Sequence, residues 1–517
     1  FKSPTNRLGG GSMLRPSTHE EYQAFVKESL LKQLVDTGQT SVLFTQAELI
    51  AKMWLTDLTP VASLVAPCYS TSSRGAPPRD PVCLFRSLLL IRLAGYTGIT
   101  KWVQTLKSFP FFAILSGFEP GDVPGVGTFY DFINRLWKTE RKSATKIRKP
   151  FSPRRRRGKK NEKLPLSRPN IVDRMVKRIL RHEGQPLPMQ PEDVLNAIFQ
   201  QVFVEPSGKK GLLGDASNLV ISGDGTPVRT GANPYGNKVC DCKSKGIYNC
   251  RCPRRYSDPE AAWGWDSYRG CYFYGRHLYE LTAASSPYDL PIYLKLVSAR
   301  RHDSVSFVVA LDEMTRRFKD FSFAACLLDS AHDAYPIYEL LNAKGMEAVI
   351  DLNKRSTGKA KYQGPLCLTK DGIPLCPAGH VMAYHGFCRD RQRHKWRCPL
   401  TRKTWNVICD TPCSSSSYGR VIYTYEKDHL RFFTRTPRGS ALWKKKYKER
   451  TASERSFKRK KIDYCLEASG ARSTKMWFFC CIILAMCQHI DAWTAYEEMD
   501  FKAVIQGWIR ESEVKAA

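Results

Sequence analysis

Three acids far apart in the chain, Asp224, Asp329 and Glu454, are of the type that holds hard divalent cations through oxygen, and clustered cysteines are of the type that holds a soft one. Glu454 has the most telling context. It stands in YKERTASERSFKRKK, residues 447–461, a segment crowded with Lys and Arg in which Glu449 is the only other carboxylate. At about 100° per residue, Tyr447, Arg450, Glu454 and Lys461 fall within roughly 60° of one another around a helix, and Glu449 falls off that stripe. A carboxylate so placed has two roles open to it. It can pair with Arg450 at the i,i+4 spacing, for a few tenths of a kcal/mol, or it can ligate a cation while the surrounding Lys and Arg hold phosphates.

The elements that must position these acids are read from hydrophobic period. Residues 217–228 (SNLVISGDGTPV), 274–285 and 291–299 read as strands, and 303–318 as a helix. FAACLLD follows as a strand ending at Asp329, then AYPIYELLNAKG as a helix and EAVIDL as a strand. The order βββαβαβ, closed by the Glu454 helix, suits an α+β or α/β fold built on an RNase H-like mixed sheet flanked by helices. In that arrangement the first and fourth strands are neighbours, so Asp224 and Asp329 approach. Two such acids with a third from a helix suit paired Mg²⁺ or Mn²⁺ ions about 4 Å apart, which serve phosphodiester displacement. Among competing acids, Asp333 falls at a helix start and reads as an N-cap, Asp303 reads as a helix cap, and Asp215 precedes its strand.

The quartet Tyr447, Arg450, Glu454 and Lys461 matches Y-(2)-R-(3)-E-(6)-K without a gap, and in this the chain resembles the DDE transposases of bacterial insertion sequences, whose catalytic domain is RNase H-like. GDGT at 223–226 is similar to that family's first-Asp strand, and LLDSAHDAYPIYELL at 327–341 to its second-Asp segment. The resemblance implies Asp224, Asp329 and Glu454 as ligands of two Mg²⁺ or Mn²⁺ ions, with Tyr447, Arg450 and Lys461 on the phosphates of a transposon end. It implies a cut-and-paste DNA transposase that cleaves double-stranded ends and joins them to target DNA. Such an enzyme is expected in the bacterial cytoplasm at the nucleoid, as a homodimer on DNA, with no small-molecule substrate and no membrane. Two alternatives keep part of this pattern: an RNase H-like nuclease without strand transfer, and a catalytically inactive zinc-containing DNA-binding protein. The presence of all three acids counts against the second.

Composition agrees with a polyanionic partner. The chain has 517 residues, 42% of them hydrophobic, enough for more than one domain, and 81 Lys and Arg against 49 Asp and Glu give a formal charge of +32. Residues 1–12, ending in a Gly/Ser run, read as a remnant ahead of Met13. Residues 13–137 read as an all-helical domain for DNA binding or dimerisation. Thr18 and Glu21 form a capping pair, helices lie at 82–95 and 98–109, and Thr128 caps a helix that presents Asn134 and Arg135. Residues 138–212 read as a basic linker and helical connection. Its stretch 138–163 carries thirteen Lys or Arg, among them Arg154, Arg155, Arg156 and Arg157, and is expected to track phosphates. The core then occupies 213–353 and 441–517. No signal peptide is recognised, and the apolar run at 477–487 is too short to span a bilayer.

Two insertions interrupt the core. One, at 229–273, holds Cys240, Cys242, Cys250 and Cys252; the other, at 354–440, holds Cys376, Cys398, Cys409 and Cys413, with His380 and Cys388 able to replace a member. Each set of four suits a structural Zn²⁺, and buried free thiols are the plainer alternative. Trp396 and Trp405 lie in the second insertion. Transposases resembling this chain stack a flipped base on an aromatic ring, worth about 1–3 kcal/mol, and either Trp would serve; packing around a zinc ribbon is the competing role. The run MWFFCCIILAMC reads as a helix buried against the sheet, with His489 a core histidine.

Overall fold

The fold is described from a computed structural model, which covers residues 14–35, 37–70, 77–138, 145–149, 170–353, 362–401, 409–416 and 418–516. Arg154, Arg155, Arg156, Arg157, Trp405 and the segment before Met13 lie outside the described residues.

The N-terminal region is helical, as its pattern predicts. Thr18 caps His19–Leu30 with the full reciprocal box to Glu21. Helices α1 (Ala47–Leu55) and α2 (Pro81–Leu93) follow, the second capped by Asp80 and buried around most of its girth. The helix at Val126–Leu136 begins three residues earlier than expected, behind Gly125, so Thr128 is an interior residue and not the cap. Residues 193–209 form one continuous helical stretch with a π turn at Phe199–Val204, which absorbs an extra residue without breaking the rod.

The sheet has strands β1 (Leu219–Arg229), β2 (Ala262–Asp266), β3 (Cys271–Ala283), β4 (Pro291–Ser298), β5 (Phe323–Leu328) and β6 (Glu347–Ile350). β3 pairs antiparallel with β1 along one edge and with β2 and β4 along the other; β5 runs parallel to β1, and β6 parallel to β5. The central order β4-β3-β1-β5-β6 is the mixed RNase H-like sheet expected from the sequence. Helix α3 (Asp303–Arg317) follows β4, and α4 (Tyr335–Ala343) links β5 to β6. Strand β2 was not expected. Its AWGWD alternation exposes Trp263 and Trp265 while burying Asp266, which reverses the usual polarity and hides the period.

Beyond the second insertion, Ala441–Lys448, a 3₁₀ turn at Glu449–Thr451, α5 (Ala452–Lys458) and a π turn at Arg459–Asp463 make one helical rod carrying the basic quartet. Helix α6 (Thr474–Glu497) closes the core. It extends well past the run at 477–487 and, contrary to the expectation from that run, is long and apolar enough to cross a membrane; here most of it is buried inside the protein. One face meets β4 and the other meets α1 and α2, so the sheet and the N-terminal helices share a single hydrophobic core reaching from Tyr22 to Trp508. Burial of the α6 side chains, at about 25 cal/mol per Å² of apolar surface, is the cement between the two parts.

The second insertion folds as a three-stranded sheet of Ala383–Cys388, Arg393–Arg397 and Val421–Thr424. Arg431 ties its return to the core through both oxygens of Asp333, at 2.8 and 2.7 Å. Asp333 therefore anchors the insertion and does not cap α4, whose cap position is Ala334.

Candidate active site

The parallel register of β1 and β5 sets the site. Ser222 lies opposite Leu327, so Asp224 and Asp329, each two residues further on, leave neighbouring strands at the same level. Asp224 accepts a 2.8 Å hydrogen bond from the Gly225 amide, and Asp329 accepts from the Ala331 amide at 3.1 Å and from His332 Nδ1 at 2.6 Å. The two carboxyls respond in opposite ways. Burial, then the charges of Asp303 and Asp329, push Asp224 up to about 7. Burial also pushes Asp329 upward, but the hydrogen bond and charge of His332 outweigh it and hold that carboxyl below its ordinary value. His332 is fully buried and is itself fixed through Nε2 by Tyr279 Oη at 2.8 Å.

Side chains alternate across a strand, so the residues beside Asp224 point to the opposite face of β1. There, Gly225 makes room for a pair formed by Asp303 and His277, 3.0 Å apart; a Cβ on Gly225 would come 2.2 Å from each. Asp303 is thus not the helix cap expected from sequence. His302 takes that position, and Asp303 turns its carboxyl to His277, whose charge and hydrogen bond overcome burial and lower the carboxyl's pKa.

Helix α5 crosses the face of β1 that bears Asp224. Ser222 Oγ donates to the Arg450 carbonyl at 2.6 Å and meets Ser453 Oγ at 2.9 Å, which fixes the rod on the strand two residues before Asp224. Beneath it Glu280, the cross-strand partner of Asp224, forms a fully buried ion pair with Lys460 at 2.8 Å and accepts from Ser456 Oγ.

The quartet residues are placed around these acids in different ways. Tyr447 is half-buried, stacked on Trp443 at 4.7 Å, and raised first by burial and also by the charges of Asp351 and Asp329. Arg450 bonds Glu454 at 2.8 Å, and the charges of both Glu454 and Asp224 oppose the effect of its burial. Lys461 donates to the Pro227 carbonyl at 2.9 Å, three residues along β1 from Asp224. Glu454, expected as the third ligand, is half-exposed and held in the i,i+4 pair with Arg450. Asp224, Asp329 and Glu454 do not come within a common 4.8 Å of one another.

The cysteine expectations divide. Cys240, Cys242, Cys250 and Cys252 are the one group among the described residues whose ligand atoms all lie within 4.8 Å. In the second insertion, Cys376 and Cys398 are buried, and burial first and then their charges raise the pKa of Cys413; Cys376, Cys398, Cys409 and Cys413 do not come within a common 4.8 Å. Trp396 is buried beside Cys376 and Met382, with Nε1 donating to Thr424 Oγ1 at 3.0 Å; it is a core side chain with no face free for a base. Asn134 is engaged by Lys475, and Arg135 lies over the Tyr69 ring.

Sequence reasoning missed His277, Asp303, His332 and the Glu280–Lys460 pair. His332 carried a signal, its i,i+3 spacing from Asp329; the others meet only where helical segments pack on β3.

A family model described as a transposase DDE domain matches residues 216–487, from just before β1 to within α6. No curated protein matches the chain.

Proposed function

Because the chain belongs to the transposase DDE domain family, we propose that it cleaves the ends of a DNA element with Asp224, Asp329 and Glu454 as its acids and joins the freed 3′ ends to target DNA. The observation that carries this reading is the level placement of Asp224 and Asp329 on paired parallel strands under a cationic helix.

The donor set fits Mg²⁺ or Mn²⁺. All three groups offer oxygen, and the charge of Asp224 is opposed by burial and by its acidic neighbours, a cost that a divalent cation offsets. When bound, such ions would activate the attacking oxygen and stabilise the leaving one. The chain's own residues do the rest. His332 keeps Asp329 ionised and oriented; the backbone amide of Gly225 orients Asp224 and offsets part of the cost of burying its charge. Glu454 would be the third group to hold the cation, and Arg450, now paired with it, would then have its guanidinium free for a phosphate. Tyr447 and Lys461 flank that position and contact the same backbone. Two ends must be held at once, so the working species is a dimer on DNA.

The test is incubation of the protein with inverted-repeat DNA and Mg²⁺, with strand breaks mapped. Asp224→Ala and Asp329→Ala are expected to bind the ends and neither cut nor join them. Loss of cutting with no joining by the parent protein would indicate a nuclease, and cutting by Asp224→Ala at the parent's rate would overturn the assignment.

A further inference from the structure

The first insertion makes a hairpin whose base is the two-residue strands Asn237–Lys238 and Arg254–Arg255 and whose tip carries Cys240, Cys242, Cys250 and Cys252. Across the tip, Cys240 Sγ lies 3.5 Å from Cys250 Sγ, and Cys242 Sγ lies 3.6 Å from Cys252 Sγ. A disulfide needs about 2.05 Å, while four thiolates around one Zn²⁺ at about 2.3 Å stand about 3.8 Å apart at the corners of a tetrahedron. All four sulfurs fall within 4.8 Å, so the spacing is that of a metal cage. The local backbone is folded to match. Ile247 N–H donates to the Cys242 carbonyl at 2.8 Å and Gly246 N–H to Lys243 at 3.2 Å, with Gly246 at φ +73°, a tight turn that returns the chain between the two Cys-x-Cys arms. Lys238, Lys243, Lys245 and Arg251 in the same hairpin offset the net −2 of four thiolates around a divalent ion.

The hairpin has no sizeable core of its own, since its tip is partly exposed and Tyr248 and Ile247 face solvent. It nevertheless receives a third strand. Ile147 and Arg148, from the basic segment 138–163, pair with Arg255 and Arg254; Tyr256 N–H donates to the Lys146 carbonyl at 2.8 Å, and Arg148 lies over the Tyr256 ring at 4.4 Å. Tyr256 is buried, so this clamp is a built contact. Residues on both sides of the two-residue strand are exposed. The strand that carries Arg254 and Arg255, paired with Asn237–Lys238, leads to the sheet at one end and to the cysteine tip at the other.

We propose that Cys240, Cys242, Cys250 and Cys252 bind one structural Zn²⁺, and that this ion, by closing the hairpin, holds the edge on which the basic segment docks at Ile147–Arg148. Zinc binding releases the thiol protons and restrains the tip, much as metal coordination supplies folding free energy to small domains. The site is distinct from the acids at Asp224 and Asp329, so it is a structural centre with no part in phosphoryl transfer.

Zinc per chain is measured by elemental analysis in the full-length protein and in two double variants, Cys250→Ser/Cys252→Ser and Cys398→Ser/Cys413→Ser. The first is expected to lose one zinc per chain; the second controls for metal in the other insertion and leaves that zinc in place. Limited trypsin digestion reads the docking, because Lys146 and Arg148 are cleavable while Lys149 is followed by Pro150. The first variant, and the parent after mild chelation, are expected to be cut after Lys146 and Arg148 at least fivefold faster, with an unchanged far-ultraviolet circular dichroism spectrum. An equal zinc content in the parent and the first variant, or four thiols recovered as disulfides, overturns the metal site. Loss of zinc with unchanged trypsin rates at Lys146 and Arg148 overturns the docking.

Discussion

Arg450 donates to Glu454 at 2.8 Å and also feels the charge of Asp224, so one guanidinium links the helix acid to the acid of the first strand. The pair is worth little to the fold, because i,i+4 ion pairs contribute about 0.2–0.5 kcal/mol. That small contribution to folding agrees with the part proposed for it at the site.

Arg450→Ala separates the two contributions. Folding stability is expected to change by no more than about 1 kcal/mol, since the ion pair is half-open to solvent. End cleavage is expected to fall by about 10²-fold or more, the usual loss when a preorganised group on developing phosphate charge is removed. Urea denaturation and a cleavage time course check both halves; a large stability loss with normal cleavage contradicts this role.

Gly225→Ala tests the tight face behind Asp224. The added methyl would meet Asp303 Oδ1 and His277 Nε2 at 2.2 Å, so one element must shift. Overpacking of this kind costs about 1–3 kcal/mol, and displacing β1 also moves Asp224. Lower thermal stability and lower cleavage are expected together; unchanged melting would mean that the pair yields freely.

The buried pair under Asp224 gives a sharper stability test. Glu280→Gln leaves the Lys460 ammonium without its charge partner in a fully buried setting, where burial already lowers its pKa. A loss of about 3–5 kcal/mol is expected, and Glu280→Leu/Lys460→Met is expected to recover most of it. Comparing urea midpoints of the single and double variants decides the matter.

His489 supplies a pH dependence. Burial drives its imidazole down to about 3, although its ring nitrogens contact Ser207 Oγ at 2.7 Å and the Pro291 carbonyl at 2.9 Å. The unfolded chain titrates near 6.5 and binds the proton that the folded one refuses, so this contribution is full above about pH 6.5 and declines as pH falls toward 3. The expected slope is about 1.4 kcal/mol per pH unit well below 6.5. Denaturation at pH 7, 6 and 5 should show the stability of the parent falling more steeply than that of His489→Gln; parallel curves would refute it.

The strand order, both aspartates and the basic helix were legible because alternation, strand ends and a helical stripe are local signals. Residue pairs were not. Asp303 read as a cap because its sequence neighbours look like a helix start, yet β3 brings His277 to it from 26 positions away. Asp333 was misread for the same reason, its true partner Arg431 lying 98 residues on. Glu280 and Lys460 are charged residues in amphipathic segments, and only the crossing of α5 over β3 takes both out of water. Trp396 could be read from sequence either as a stacking platform or as packing of its subdomain, and only the folded insertion places it beside Cys376 and Met382.

Helix α6 lies between the sheet and the N-terminal helices with both flanks covered. A segment that shares its interior with a neighbour cannot be traded between relatives as a ready-made cassette, because the exchanged piece would bring ill-fitting knobs and hollows to the seam. Divergence of the helical half must then proceed by piecemeal change of its outer residues, with the seam inherited nearly intact.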